Sequence, residues 1–108
     1  MKTVISTTNA PAAIGPYSQA VAAGGLLFVS GQIPLDPTSG QLVGTTTAEQ
    51  TRQVLDNLEA ILTAAGLTFA DVVRATIFLI DLGDFAAVNE LYSARVPAPF
   101  PARVTVQV

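Results

Sequence analysis

The chain contains no cysteine and no histidine. That excludes disulfides, thiol nucleophiles, imidazole bases and the usual zinc sites. It also excludes a His-based catalytic triad. Basic residues number only five, and charged residues make up 12% of the chain, about half the usual share. There is no basic run and the formal net charge is −3, so capture of nucleic acid through its phosphates is not expected. The longest apolar run, Ala20 to Val29, is too short to span a bilayer and is broken by Gly24-Gly25. The N-terminus carries one Lys and no apolar core, so it does not read as a secretory signal. No acidic cluster suggests a metal site. The expectation is a soluble, cytoplasmic protein with neither membrane nor nucleic acid as a partner.

What is present is apolar. Half of the 108 residues are hydrophobic, enough for one domain over residues 1–108 with a modest core. So much apolar surface is hard to hide in a small monomer, and an oligomer is expected. Lys2 to Ile5 reads as a short strand, and Ser6 to Pro16 as a loop. Tyr17 to Val21 and Leu26 to Ser30 read as two strands joined by a Gly24-Gly25 hairpin turn. Gly31 to Gly40 is a structured loop fixed by two prolines and two glycines. Thr46 to Ala65 is the clearest helix. Thr46 with Glu49, or Thr47 with Gln50, offers a capping box, and Gly66 a left-handed stop. Its apolar stripe is Val54, Leu58, Ile61, Leu62 and Ala65, with Arg52, Asp56 and Glu59 toward solvent. Thr68 to Asp71 forms a small capped turn. Val72 to Ile80 is the strongest strand, apolar on both faces. Asp84 caps a second helix that buries Phe85, Val88 and Tyr92, and Pro97 and Pro99 close it. Phe100 to Val108 alternates as a last strand, with Ala102, Val104, Val106 and Val108 on one face and Arg103, Thr105 and Gln107 on the other.

The order strand, hairpin, helix, strand, helix, strand implies an α/β fold. A mixed sheet of four or five strands carries two helices on one face, each helix forming a βαβ crossover. The opposite face, with Leu26 to Val29 and Val73 to Ile80, then needs a cover, and another copy of the chain is the simplest one.

Few residues offer chemistry. Arg103 is most simply a strand arginine paired with a nearby carboxylate; its functional reading is a guanidinium fork for a substrate carboxylate. Tyr17, in a Gly-Pro-Tyr turn, is more often a packed aromatic than a catalyst. Ser30-Gly31 is most simply a turn, although Gly31 also lets a ligand approach the backbone. Glu49, Asp56 and Glu59 read as a solvated helix face, and Asp81 and Asp84 as caps.

Taken together, these segments resemble a known family. They are Asn9 to Gln19 (with Gly15-Pro16-Tyr17-Ser18-Gln19), Val29-Ser30-Gly31-Gln32-Ile33-Pro34, Asn57-Leu58, Ala64-Ala65-Gly66, Asp84-Phe85 with Val88-Asn89, and Phe100-Pro101-Ala102-Arg103. On them the chain is identified as a member of the Rid (YjgF-like, reactive-intermediate deaminase) family. The resemblance implies a chorismate-mutase-like fold and a homotrimer with an inner β-barrel and outer helices. It implies hydrolysis of 2-imino acids or their enamine tautomers, such as 2-iminobutanoate and 2-iminopropanoate, to 2-oxo acids and ammonia, without a cofactor. Arg103 would anchor the carboxylate and Tyr17 assist catalysis. Tyr17, Ser30, Gly31, Asn89 and Thr105 would line an intersubunit cleft, Thr105 standing where some relatives have Cys. The family pattern also has a final strand carrying a water-directing glutamate, which this chain is expected to lack beyond Val108. The alternative is therefore a ligand-binding, regulatory or chaperone-like member without turnover. Some relatives are described as ribonucleases, a role that the chain's acidity and lack of His oppose.

Overall fold

The computed structural model describes residues 1–108. Strands β1 (Thr3–Ile5), β2 (Ala20–Ala23) and β3 (Leu26–Val29) form an antiparallel meander. Helix α1 (Thr47–Ala64) leads to strand β4 (Arg74–Leu79), and helix α2 (Phe85–Arg95) leads to β5 (Ala102–Gln107). β4 and β5 pair in parallel, so β4–α2–β5 is the expected βαβ crossover. The α/β class and the hairpin hold. The mixed sheet is resolved as two hydrogen-bonded units, β1-β2-β3 and β4-β5, and α1 links the two units rather than neighbouring strands of one ladder.

Local chemistry accounts for these boundaries. Gly24 and Gly25 have φ of +60° and +78°, the left-handed pair that a tight hairpin turn requires. β2 begins at Ala20, three residues later than the sequence suggests, because Gln19 is occupied with the preceding loop. Its Oε1 accepts from the Thr7 N–H at 2.7 Å, and its amide nitrogen lies 2.7 Å from the Pro11 carbonyl and 3.0 Å from that of Thr7. Thr46 is the cap of α1: its Oγ1 accepts from the Glu49 N–H, and its hydroxyl donates to the Glu49 carboxylate at 2.9 Å. Gly66 ends the helix at φ +76°, and the Leu67 N–H returns to the Leu62 carbonyl. Asp84 does not cap α2 with its side chain. Its Oδ2 instead accepts from the Thr47 hydroxyl at 2.7 Å, joining the N-terminal ends of the two helices. Asp81 does act as a cap, accepting from the Gly83 N–H.

The core lies between the helices and the sheets. Leu55, Leu62, Phe69 and Val96 form its larger part, with Leu58, Leu91 and Tyr92 packed around them; Ile61, Ala10 and Ala20 form the smaller. Leu55 thus takes the central place that the periodicity gave to Val54, which is only half-buried. Asp56 and Glu59 are not merely a solvated face. Arg95, at the end of α2, donates to Asp56 at 2.7 Å and to Glu59 at 2.8 Å, clamping α2 to α1. Asn57 is a buried polar residue with no apolar alibi. Its Nδ2 donates to the carbonyls of Leu35 and Ile33 at 3.0 and 3.3 Å, and its Oδ1 accepts from Gln53. The loop that follows Ser30-Gly31 is thereby pinned to α1.

The face away from the helices is open. Val4, Leu26, Phe28, Phe78 and Ile80 are exposed on it, Phe78 by 65% and Ile80 by 85%. The chain exposes 6913 Å² in all, whereas a monomer of 11.1 kDa normally exposes about 5,700 Å². The excess, roughly 1,200 Å², is of the size that one partner buries in a stable protein interface.

Asn57→Ala is expected to destabilise the fold by about 2–4 kcal/mol, because it strands two loop carbonyls inside the protein. Denaturant unfolding measures this. A loss below about 0.5 kcal/mol would mean that the loop carbonyls find other partners.

Candidate active site

Arg103 stands second in β5, opposite Ala75 of β4, on the face that α2 covers. The bland reading gave it a carboxylate, and the structure gives it none. The only ion pairs in the chain belong to Arg95. The Arg103 guanidinium instead lies 4.9 Å from the centroid of the Tyr92 ring and 5.5 Å from that of Phe85. These cation–π contacts use no hydrogen-bond donor. With no protein acceptor engaged by the side chain, the N–H edge of the fork is unspent. Beside it runs an open groove of about 640 Å³, lined by Asn89, Glu90, Tyr92, Ser93, Phe100, Pro101 and Arg103. A half-buried cation in a shallow groove suits a small carboxylate, which accepts two parallel N–H bonds from such a fork.

Two hydroxyls near this arginine have no partner. Thr105 lies two residues along the same face of β5, and its Oγ1 is buried without a hydrogen bond. The Tyr92 Oη is likewise buried and unpaired. Burial pushes the Tyr92 phenol above its ordinary value near 10, against the opposing pull of the Arg103 charge.

The other residues singled out from the sequence assemble elsewhere. Tyr17 is half-exposed and, with Ser18 and Gln19, lines a second hollow beside Val4, Thr7 and Ala12. Its hydroxyl accepts only a long bond, 3.4 Å, from the Ile14 N–H. Ser30 is tied to the same segment: its hydroxyl donates to the Ser18 carbonyl at 2.6 Å and its N–H to the Gln19 carbonyl at 2.9 Å. Gly31, next along, is exposed, and nothing would meet a Cβ there. So Tyr17, Ser30 and Gly31 form one group, and Arg103, Asn89 and Thr105 another.

Residues 7–108 match the family described as Endoribonuclease L-PSP. The chain belongs to that family. A RutC family protein of Pyrococcus horikoshii is 53% identical over 108 residues, spanning all of this chain and 86% of that protein. A mouse protein named 2-iminobutanoate/2-iminopropanoate deaminase is 51% identical over 108 residues, covering all of this chain and 80% of its own length. Among solved structures, a Rid-family protein of Yersinia pestis superposes with a TM-score of 0.97 at 48% identity, over all of this chain and 86% of that one. The Rid resemblance of the sequence motifs and the fold of these family members therefore agree.

Sequence reasoning missed Glu90, Ser93 and Phe100 as groove residues, and placed Phe85 and Tyr92 on a buried face, whereas Phe85 is exposed and Tyr92 half-buried. The signal was there in part: residues 85 and 92 are seven apart, two helical turns on one face. What the pattern could not give was the strand that this face meets.

The Arg103–Tyr92 contact is directly testable. In a Tyr17→Phe background Tyr92 is the only tyrosine left. Its phenolate absorbance should appear above pH 10, and Arg103→Ala should move that midpoint higher still, since the lost cation had favoured the phenolate. An unmoved midpoint would mean that the two groups do not interact.

Proposed function

We propose that the protein hydrolyses 2-imino acids and their enamine tautomers, of the 2-iminobutanoate and 2-iminopropanoate class, to 2-oxo acids and ammonia. The observation that carries this reading is the Arg103 guanidinium, half-buried at the groove and engaged in no ion pair with any carboxylate of the chain. Relatives about half identical over the whole chain are named for that activity.

The chemistry asks little of a protein. The Arg103 fork holds the substrate carboxylate, which fixes the adjacent C=N carbon over the groove. Water adds to that carbon, the nitrogen takes the proton, and a tetrahedral carbinolamine forms. Its collapse breaks the C–N bond, releases ammonia and leaves the 2-oxo acid. Imines hydrolyse unaided, so a fixed cation beside the reacting carbon and a few aimed dipoles suffice for acceleration. No step calls for a cofactor.

The site is completed by neighbouring copies in this proposal. The two groups of site residues lie on different hollows of one chain, and an apolar sheet face stands open. In a homotrimer with the open faces turned inward, Tyr17, Ser30 and Gly31 of one copy approach Arg103, Asn89 and Thr105 of the next. Tyr17 then supplies a hydroxyl to the carbinolamine or to the attacking water. A binding module without turnover would use the same anchor, and rate measurements separate the two.

With 2-iminobutanoate generated by a threonine dehydratase in the presence of semicarbazide, the protein is expected to speed 2-oxobutanoate formation and suppress semicarbazone. Arg103→Ala is expected to remove at least 100-fold of that effect, the scale of a lost charge-assisted bidentate contact. Binding of 2-oxobutanoate with no acceleration would favour the non-catalytic module. Light scattering should give about three times the 11.1 kDa chain mass, and Phe78→Glu, a charge on the inward face, should give monomers that have lost activity. An active monomer would refute the intersubunit site.

A further inference from the structure

Bidentate capture of a carboxylate needs the guanidinium in a fixed plane, because the two N–H groups must meet two oxygens at once. Arginines are commonly aimed by a neighbouring carboxylate, as Arg95 is by Asp56 and Glu59. Arg103 makes no such ion pair, so its aim must come from something that leaves the charge and the donors unspent. We propose that Tyr92, seconded by Phe85, is a positioning residue for Arg103, and that it acts through the face of its ring and not through its hydroxyl. The inference rests on the anchoring role proposed above for Arg103.

Three observations carry it. The guanidinium carbon sits 4.9 Å from the Tyr92 ring and 5.5 Å from the Phe85 ring. The two rings are two turns apart on α2, roughly 10 Å along the axis, so a cation about 5 Å from each is held between them. Contact with π-faces satisfies the positive charge while the N–H groups stay available to a ligand. Second, Tyr92 belongs to both the groove and the core: it lines the groove with Arg103 and packs against the Leu55, Leu62, Phe69 and Val96 cluster. A ring locked by core packing gives the cation a rigid shelf. Third, the Tyr92 Oη is buried with no hydrogen-bond partner. A hydroxyl that bonds nothing and does not reach the groove surface is not what the position requires; an aromatic face is.

The experiment compares ring, hydroxyl and bulk at position 92. Binding of 2-oxobutanoate, the proposed product, is titrated by NMR into the wild-type protein and into Tyr92→Phe, Tyr92→Leu, Phe85→Leu and Arg103→Ala, with kcat and KM measured in the semicarbazide assay. Tyr92→Phe should retain the affinity. Tyr92→Leu keeps apolar bulk but lacks a π-face, and should weaken binding about 5- to 30-fold, the range of a partly desolvated cation–π contact. The loss should appear in KM more than in kcat. Phe85→Leu should show a smaller loss in the same direction, and it is the deciding variant if Tyr92→Leu fails to fold. Wild-type affinity in the leucine variants, with binding abolished in Arg103→Ala, would overturn the positioning role while leaving the anchor intact. A Tyr92→Phe defect as large as that of Tyr92→Leu would overturn the ring-only assignment. Undiminished binding by Arg103→Ala would remove the anchor and this inference with it.

Discussion

A guanidinium that is neither paired with a carboxylate nor left fully in water is the constraint around which this protein is arranged. Arg103 is set on β5, the second strand of a parallel βαβ unit, and α2 crosses over the face on which it stands. That crossover puts two aromatic rings under the cation and an open groove beside it. An acidic side chain in place of either ring would consume the fork. The rings hold the charge by their quadrupoles and leave its hydrogen bonds for a ligand. The placement of α2 therefore matters more to the site than its own propensity does. It is fastened from both ends, by the Thr47–Asp84 hydrogen bond at the N-terminus and by the Arg95 clamp to Asp56 and Glu59 at the C-terminus. The clamp carboxylates are exposed, so the gain in stability is modest, but the pairing fixes how the helix is rotated over β5.

The other group of candidate residues depends on a different set of buried amides. Gln19 gathers the Thr7 to Pro11 loop beside the Tyr17 turn, and Asn57 holds the Ile33 and Leu35 carbonyls next to the Ser30-Gly31 segment. Each is nearly fully buried, and each spends its side chain on backbone groups that would otherwise be unsatisfied. These amides form a loop that can present Tyr17 and Gly31 outward without relying on regular structure. In the proposed assembly, copies of the chain placed side by side would account for both the surplus of exposed apolar area and the separation of the two groups of residues.

Much of this was legible in the residues. The helix at Thr47–Ala64 is bounded by a capping threonine and a left-handed glycine, both local devices, and both behave as the sequence suggests. The Gly24-Gly25 hairpin and the alternation of β5 are equally local. The shifts arise where a side chain has a distant partner. The Asp84 carboxylate reaches Thr47 across 37 residues, and Arg95 reaches Asp56 across 39. Leu55 in place of Val54, and Asn57 in the core, depend on which way the helix turns when it docks.

The sequence by itself determined the class of fold, the family through Gly-Pro-Tyr-Ser-Gln, Ser-Gly-Gln-Ile-Pro and Pro-Ala-Arg, and the exclusion of thiol and imidazole chemistry. Those follow from residue identity and short-range spacing, which need no third dimension. Only the tertiary structure decided that Arg103 has no carboxylate beside it, that Phe85 and Tyr92 carry it, and that Tyr17 stands on a different hollow of the same chain. Such facts concern residues far apart along the backbone, and they are settled by how α2 packs across β5.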